Sequence, residues 1–228
     1  MLRPTAPGLN RWGGWVAQTI DAQQSIDIIA AMARAVAERQ TELSALDSTV
    51  GDGDHGVNMA LALQEAVQQV NQLKEPTPES VWRTAGRAIQ NSMGGASGLL
   101  FGAYFVGASR TIKDKQHLTL ADVAEMLAAG LTEVQKRGQA QPGDRTLVDA
   151  LVPAIAAAQA AVDDHLPLDE ALQRMAQAAN AGAEATRHMV AKHGRAKFLG
   201  ERSRGFQDAG ATSMAVMLSA WADWVNRD

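Results

Sequence analysis

Apolar residues recur at helical spacing along most of the chain. Between residues 25 and 43, Ile26, Ile29, Ala33, Val36 and Ala37 share one face with polar residues between them, which predicts a helix. A loop rich in Gly and Asp follows, Asp47 to Gly56, and the pattern resumes at Val57, Leu61, Ala62 and Leu73 until Lys74-Glu75-Pro76 stops it. Thr77-Pro78 reads as an N-cap with proline at the first helical position, starting a helix to about Met93. Gly94 to Gly98 opens an apolar segment, Leu99 to Ile112. Thr119, with Asp122 three residues on, caps a helix reaching about Arg137. The turn Gln141-Pro142-Gly143-Asp144 precedes another helix, with Asp144 as its expected cap. Pro167 starts a helix to about Val190, and a last one runs from about Gly210 to Val225. No segment alternates like a strand. About eight helices joined by short loops are most simply antiparallel neighbours in one bundle. Residues 1–24, with their Gly, Pro and Trp, read as an appended segment with a short helix from Trp12 onward.

Composition supports the helical reading. Alanine makes up about 19% of the 228 residues and aromatics only 4%, so the best helix former is abundant and strand formers are scarce. The absence of cysteine excludes disulfide scaffolds, thiolate catalysis and Cys-ligated metal centres. A net charge of −4 argues against a nucleic-acid partner. Neither a long apolar run nor a secretory h-region is present, so the expectation is a cytoplasmic protein with no membrane span.

The unusual residues lie in four loops: Asp47–Gly56, Gly94–Gly98, Arg137–Thr146 and His193–Ser213. Counted along the helices these are alternate loops, and in an antiparallel bundle alternate loops share one end. One composite site is therefore expected on one rim. In the first loop Asp47, Asp52 and Asp54 fall within eight residues, separated by glycines. Three such carboxylates repel one another unless a cation sits among them, and hard oxygen ligands suit magnesium or calcium. The stretch Gly51–Gly56 also matches GxGxxG, but it follows a helix instead of a strand. An EF-hand fails because its closing Glu falls on Leu63, and no Walker A sequence occurs. The second loop allows backbone amides and Ser97 to approach an anion at a helix N-terminus. The last carries Lys192, Arg195, Lys197, Arg202 and Arg204 against Glu201, a local charge of +4, and its glycines suit a lid. An acidic nest, a glycine-rich cradle and a basic lid are the parts needed to hold a nucleotide polyphosphate through magnesium.

These segments resemble the L subunit of bacterial dihydroxyacetone kinase. The resemblance rests on Leu46-Asp47 with GDGDHG at 51–56, GGASGLLFG at 94–102, PGDRT at 142–146, GRAKFLGERS at 195–204 and DAGATS at 208–213. It spans about residues 25–226, leaving 1–24 outside as an extension of a 25–228 domain. It implies an all-α, eight-helix up-and-down antiparallel barrel with the nucleotide at one end. It implies two Mg2+ on Asp47, Asp52 and Asp54, and ADP or ATP against His55, Gly56, Asn58, Ala96, Ser97, Gly138, Leu147, Arg195, Asp208, Ala209 and Gly210. One departure is visible: Ala209 stands where the family commonly has proline. The implied activity is phosphoryl transfer to a ketose held by a separate K subunit, without which this chain is inactive on sugar. No side-chain nucleophile is expected here. A phosphotransferase-system M subunit would recharge the bound ADP. Alternatives are an L subunit exchanging free ATP, for dihydroxyacetone or a ketose such as erythrulose, and a nucleotide-loaded module docking on a transcription regulator.

Overall fold

The computed structural model describes residues 8–9, 15–16 and 19–226. Its body consists of α-helices: α1 (Ala22–Glu38), α2 (Gln40–Ser48), α3 (His55–Val70), α4 (Pro78–Ser92), α5 (Gly95–Ser109), α6 (Leu120–Gly138), α7 (Val148–Asp163), α8 (Leu168–Ala185) and α9 (Ala209–Val225). Short 3-10 segments follow α5 and α8, and a longer one spans Arg195–Ser203. The all-helical expectation holds for this body. Near the N-terminus, Gly8–Leu9 and Trp15–Val16 form a two-residue antiparallel pair, which the periodicity does not predict. A helix continuing from Trp12 is thus ruled out at Trp15–Val16, while Trp12 itself lies outside the described residues.

Several boundaries move for local reasons. Asp21 accepts from the Gln24 amide at 2.8 Å and Gln24 reciprocates, so α1 begins three residues before the expected start. Ile20, fully buried, exchanges backbone hydrogen bonds with Leu118 at 2.9 and 2.8 Å, tying the chain before α1 to the approach of α6. The expected 25–43 helix breaks at Arg39 and continues as α2, which packs on α3 and α9. Thr77 and Thr119 cap α4 and α6 as expected, each in a reciprocal box. Beyond Ala185, α8 tightens into a 3-10 turn, Thr186–His188, and so ends before Val190.

Each long helix packs on the next along the chain from α3 to α9, α1 packs on α3, and α9 returns to α1. The chain of contacts therefore closes on itself. Inside it, Trp82 of α4 lies 5.0 Å from Trp221 of α9 and 5.4 Å from Phe105 of α5, centroid to centroid. Small residues let the walls approach closely: a Cβ on Gly102 would lie 2.7 Å from the Gly86 carbonyl across the α4–α5 contact. The alanine and glycine excess thus serves helix–helix approach as well as helix propensity.

Candidate functional site

The four loops meet. Residues from all of them, with the N-terminal ends of α3, α5 and α9, line one cleft of about 530 Å3, within the size range of small-molecule sites.

The acidic corner is built around Asp47, in the last turn of α2. Its backbone oxygen accepts from the Val50 and Gly51 amides, and its Oδ2 accepts from Gly53 at 2.9 Å and His55 at 3.4 Å. Gly53 takes φ +77, the left-handed turn that brings the loop back over this carboxylate. Asp47 thereby caps α3 from a distance. Asp54, at the N-cap position itself, makes no side-chain cap bond. Asp47, Asp52 and Asp54 present oxygens that all lie within 4.8 Å of one another, and Asp52 and Asp54 are exposed. Three converging carboxylates fit a hard divalent cation.

His55 begins α3 and is buried, its Nε2 2.8 Å from Ser213 Oγ of α9 and its ring against Phe101 of α5. Burial pushes its pKa below the ordinary histidine value, against the pull of Asp47 and Asp54, so it is a neutral bridge across the cleft floor. Asn58 follows one turn on and also lines the cleft. Gly56 does not line it: a Cβ there would overlap the Gln40 carbonyl, so this glycine seats α3 on α2.

The cradle lies opposite. Gly94 precedes α5 without a side-chain cap, which leaves the first-turn amides around Ala96 and Ser97 open to the cleft. Gly98 is packed against Met93, where a Cβ would collide with the Met93 carbonyl. Leu99, Leu100, Gly138 and Leu147 supply the apolar wall.

The third loop differs from expectation. Asp144 does not cap α7; Asp149, within the first turn of the helix, ties down the loop before it by accepting from the Thr146 amide at 2.8 Å and the Gly143 amide at 2.5 Å. Asp144 turns instead to the basic segment, accepting from Lys192 at 2.7 Å and His193 at 3.1 Å. Arg145, which the sequence reading leaves out of the site, is 2% exposed and lines the cleft. Its Nη2 donates to the Phe206 and Gln207 carbonyls at 3.0 and 3.3 Å, while Nε and Nη1 have no partner. Its φ of +62, uncommon for a side chain of this size, is the structural sign of its special placement. No periodicity signals it.

The basic segment folds as the 3-10 stretch Arg195–Ser203, kinked at Gly200. Arg195 reaches across and pairs with Asp52. At the head of α9, Asp208 accepts from the Ala211 amide at 2.8 Å. Withdrawal from water, reinforced by Asp149, lifts its pKa to about 6 against the pull of the Ala211 amide and Arg145. Ala209 is the first helical residue, a position where proline is also well accommodated, so the departure from the common motif leaves the helix start in place. Gly210 completes this wall. Of the residues expected to hold metal or nucleotide, all but Gly56 therefore border the cleft, but of the basic loop's cations only Arg195 does; Lys192, Lys197, Arg202 and Arg204 do not.

Comparison with known proteins agrees with this geometry. Residues 49–223 match the family model described as the DAK2 domain. The ADP-binding subunit DhaL of the PEP-dependent dihydroxyacetone kinase of Escherichia coli K12 is 36% identical over 180 residues, 79% of this chain and 86% of that one. The L-erythrulose kinase of Pectobacterium atrosepticum is 34% identical over 190 residues, 82% of this chain and 32% of that one. The crystal structure of the C. freundii dihydroxyacetone kinase superposes with a TM-score of 0.70 at 27% identity, over 98% of this chain and 38% of that chain. Its complex with AMP-PNP and Mg2+ gives a TM-score of 0.69 at the same identity. By the extent of the domain match and the identity to DhaL, this chain belongs to the DAK2-domain family, the family of the dihydroxyacetone kinase DhaL subunits.

Proposed function

We propose that this chain is the nucleotide-holding L subunit of a dihydroxyacetone-type ketose kinase, with 25–228 as the nucleotide-binding unit and 1–24 appended to it. The observation that carries the reading is the convergence of three carboxylates within 4.8 Å on a cleft whose other walls are an uncapped helix start and a basic segment. Asp47, Asp52 and Asp54 would hold two Mg2+, which would supply positive charge to neutralise a polyphosphate. The chain's own groups do the rest. The first-turn amides of α5 with Ser97 bind phosphate oxygens. Arg195, already over Asp52, balances the remaining charge. His55 and Asn58 border the same ligand, Gly138 and Leu147 flank the base, and Asp208 to Gly210 close the wall. No side chain is placed as a nucleophile, so the contribution is positioning and charge balance.

The ketose belongs on a separate K subunit. Relatives support this division: the unit stands as a separate chain in the E. coli DhaL subunit and forms about a third of longer kinases. ADP retained in place and recharged by a phosphotransferase-system M subunit fits the free-standing relatives, some of which are PEP- or PTS-dependent by name. Exchange of free ATP is the second reading, favoured by the similarity to erythrulose kinases. We place the chain in the cytoplasm; no helix among the described residues is long and apolar enough to cross a membrane.

Calorimetry of ADP binding with and without magnesium tests the site: Asp52→Asn and Asp54→Asn should abolish magnesium-dependent binding. Unchanged affinity in both variants would overturn the reading. Assay with a K subunit, dihydroxyacetone and ATP, without M, separates the donors. Rapid multiple turnover there means ATP exchange.

A further inference from the structure

Two consecutive residues of the 142–146 turn point in different directions and hold opposite ends of the same segment. Asp144, 5% exposed, takes the entry: Oδ1 accepts from Lys192 Nζ at 2.7 Å, Oδ2 from His193 Nε2 at 3.1 Å, and its carbonyl from the Lys192 amide at 3.2 Å. Arg145 takes the exit through the Phe206 and Gln207 carbonyls. Between these grips lies the stretch that carries Arg195 onto Asp52.

The backbone at Arg145 is left-handed, with φ +62. A guanidinium removed from water is costly to keep unless it is bonded, and this one spends its paired donors on backbone carbonyls of the segment's end. Between the grips Ser203 is a further fixed point, fully buried, whereas Lys197, Phe198, Glu201 and Arg202 are exposed. Ser203 Oγ accepts from the Ala191 amide at 3.0 Å and the Gly205 amide donates to the Arg187 carbonyl at 2.8 Å, while Phe198 stands 80% exposed. Its geometry over the cleft therefore depends on where its ends are anchored.

We propose that Asp144 and Arg145 are positioning residues that clamp both ends of segment 192–207 and thereby hold Arg195 over the acidic triad. The consequence for ligand residence rests on the proposed nucleotide function; the clamp itself does not. Loosening either grip frees the segment's backbone and shortens the stay of a bound nucleotide.

The test uses the full chain and the variants Asp144→Asn, Lys192→Ala and Arg145→Lys, with two readouts beside the melting temperature. The first is trypsin cleavage after Arg195, Lys197, Arg202 and Arg204 without nucleotide, which should quicken about tenfold when a charge-assisted grip is lost, at a nearly unchanged melting temperature. The second is the release rate of a fluorescent ADP in magnesium, expected to rise by about the same factor. Combined with Arg195→Ala, Asp144→Asn should add less than about twofold to release, because both act through one side chain. Cleavage that stays at the wild-type rate in all three variants overturns the clamp. Fully multiplicative release rates overturn its action through Arg195. If wild type binds no ADP, the nucleotide reading fails and the cleavage result still decides the clamp. Should Arg145→Lys not fold, Asp144→Asn and the exposed Lys192→Ala decide it.

Discussion

Asp208 sits at a junction of competing demands, and replacing it with asparagine exposes their balance. The side chain caps α9 through the Ala211 amide, a task asparagine performs equally well. What the substitution removes is the ionisation. Withdrawal from water raises the carboxyl from 3.8 to about 6 in the folded protein. The sign follows from linkage: between these values the unfolded chain has lost the proton while the folded one keeps it, so stability falls as pH rises through the window. From full protonation of both states to full ionisation the loss is about 3 kcal/mol, and between about pH 4.5 and about pH 7.5 it is about 2 kcal/mol. These are upper figures, because Asp208 retains some contact with water. Urea unfolding of wild type and Asp208→Asn across that range, in chelator and without nucleotide, measures the difference. The variant should gain about 2 kcal/mol on wild type from the acid to the neutral end. A gap that stays constant with pH would refute the account of Asp208 as a carboxyl held off its ordinary pKa by enclosure.

Other outcomes follow from the same structure. His55 titrates with the opposite sign: its lowered pKa means stability is full above about pH 6.5 and is lost as pH falls below it, and its ring proton signals in NMR should move at lower pH than those of exposed histidines. Gly98→Ala should cost about 3 kcal/mol and weaken ADP binding, since the added methyl meets the Met93 carbonyl and must displace the first turn of α5; denaturation and calorimetry check both. Trp221→Ala should cost about 3 to 5 kcal/mol in urea unfolding. Trp221→Phe should cost far less, because the indole N–H has no hydrogen-bond partner to lose.

The helices and the address of the site were legible in the sequence because both depend on near neighbours. Apolar spacing predicts the buried face of α1 at Ile26, Ile29 and Val36, whereas on α3 Val57 and Leu61 stand exposed and Met59, Leu63 and Ala66 face the core beside Ala62. Thr77 and Thr119 mark helix starts by bonds that span three residues. The glycine and aspartate loops stand out because few other roles ask for three carboxylates among glycines. The break at Arg39 carries no such mark; it arises where α2 turns to pack on α3 and α9. The two-residue strand pair and the exchange between Ile20 and Leu118 join segments that local pattern cannot relate. Asp144 and Asp149 are the sharpest case. Both stand near the start of α7 and both are competent caps, so their sequence positions do not rank them. Asp149 takes only nearby amides, those of Gly143 and Thr146, while Asp144 takes the Gln141 amide together with a lysine and a histidine nearly fifty residues away. Sequence alone determined that this chain is a helical bundle with an acidic, a glycine-rich and a basic loop on one rim. The tertiary structure decided which carboxylate holds the turn before α7, which one reaches the basic segment, and that Arg145 lines the cleft, because those contacts form only when the chain folds.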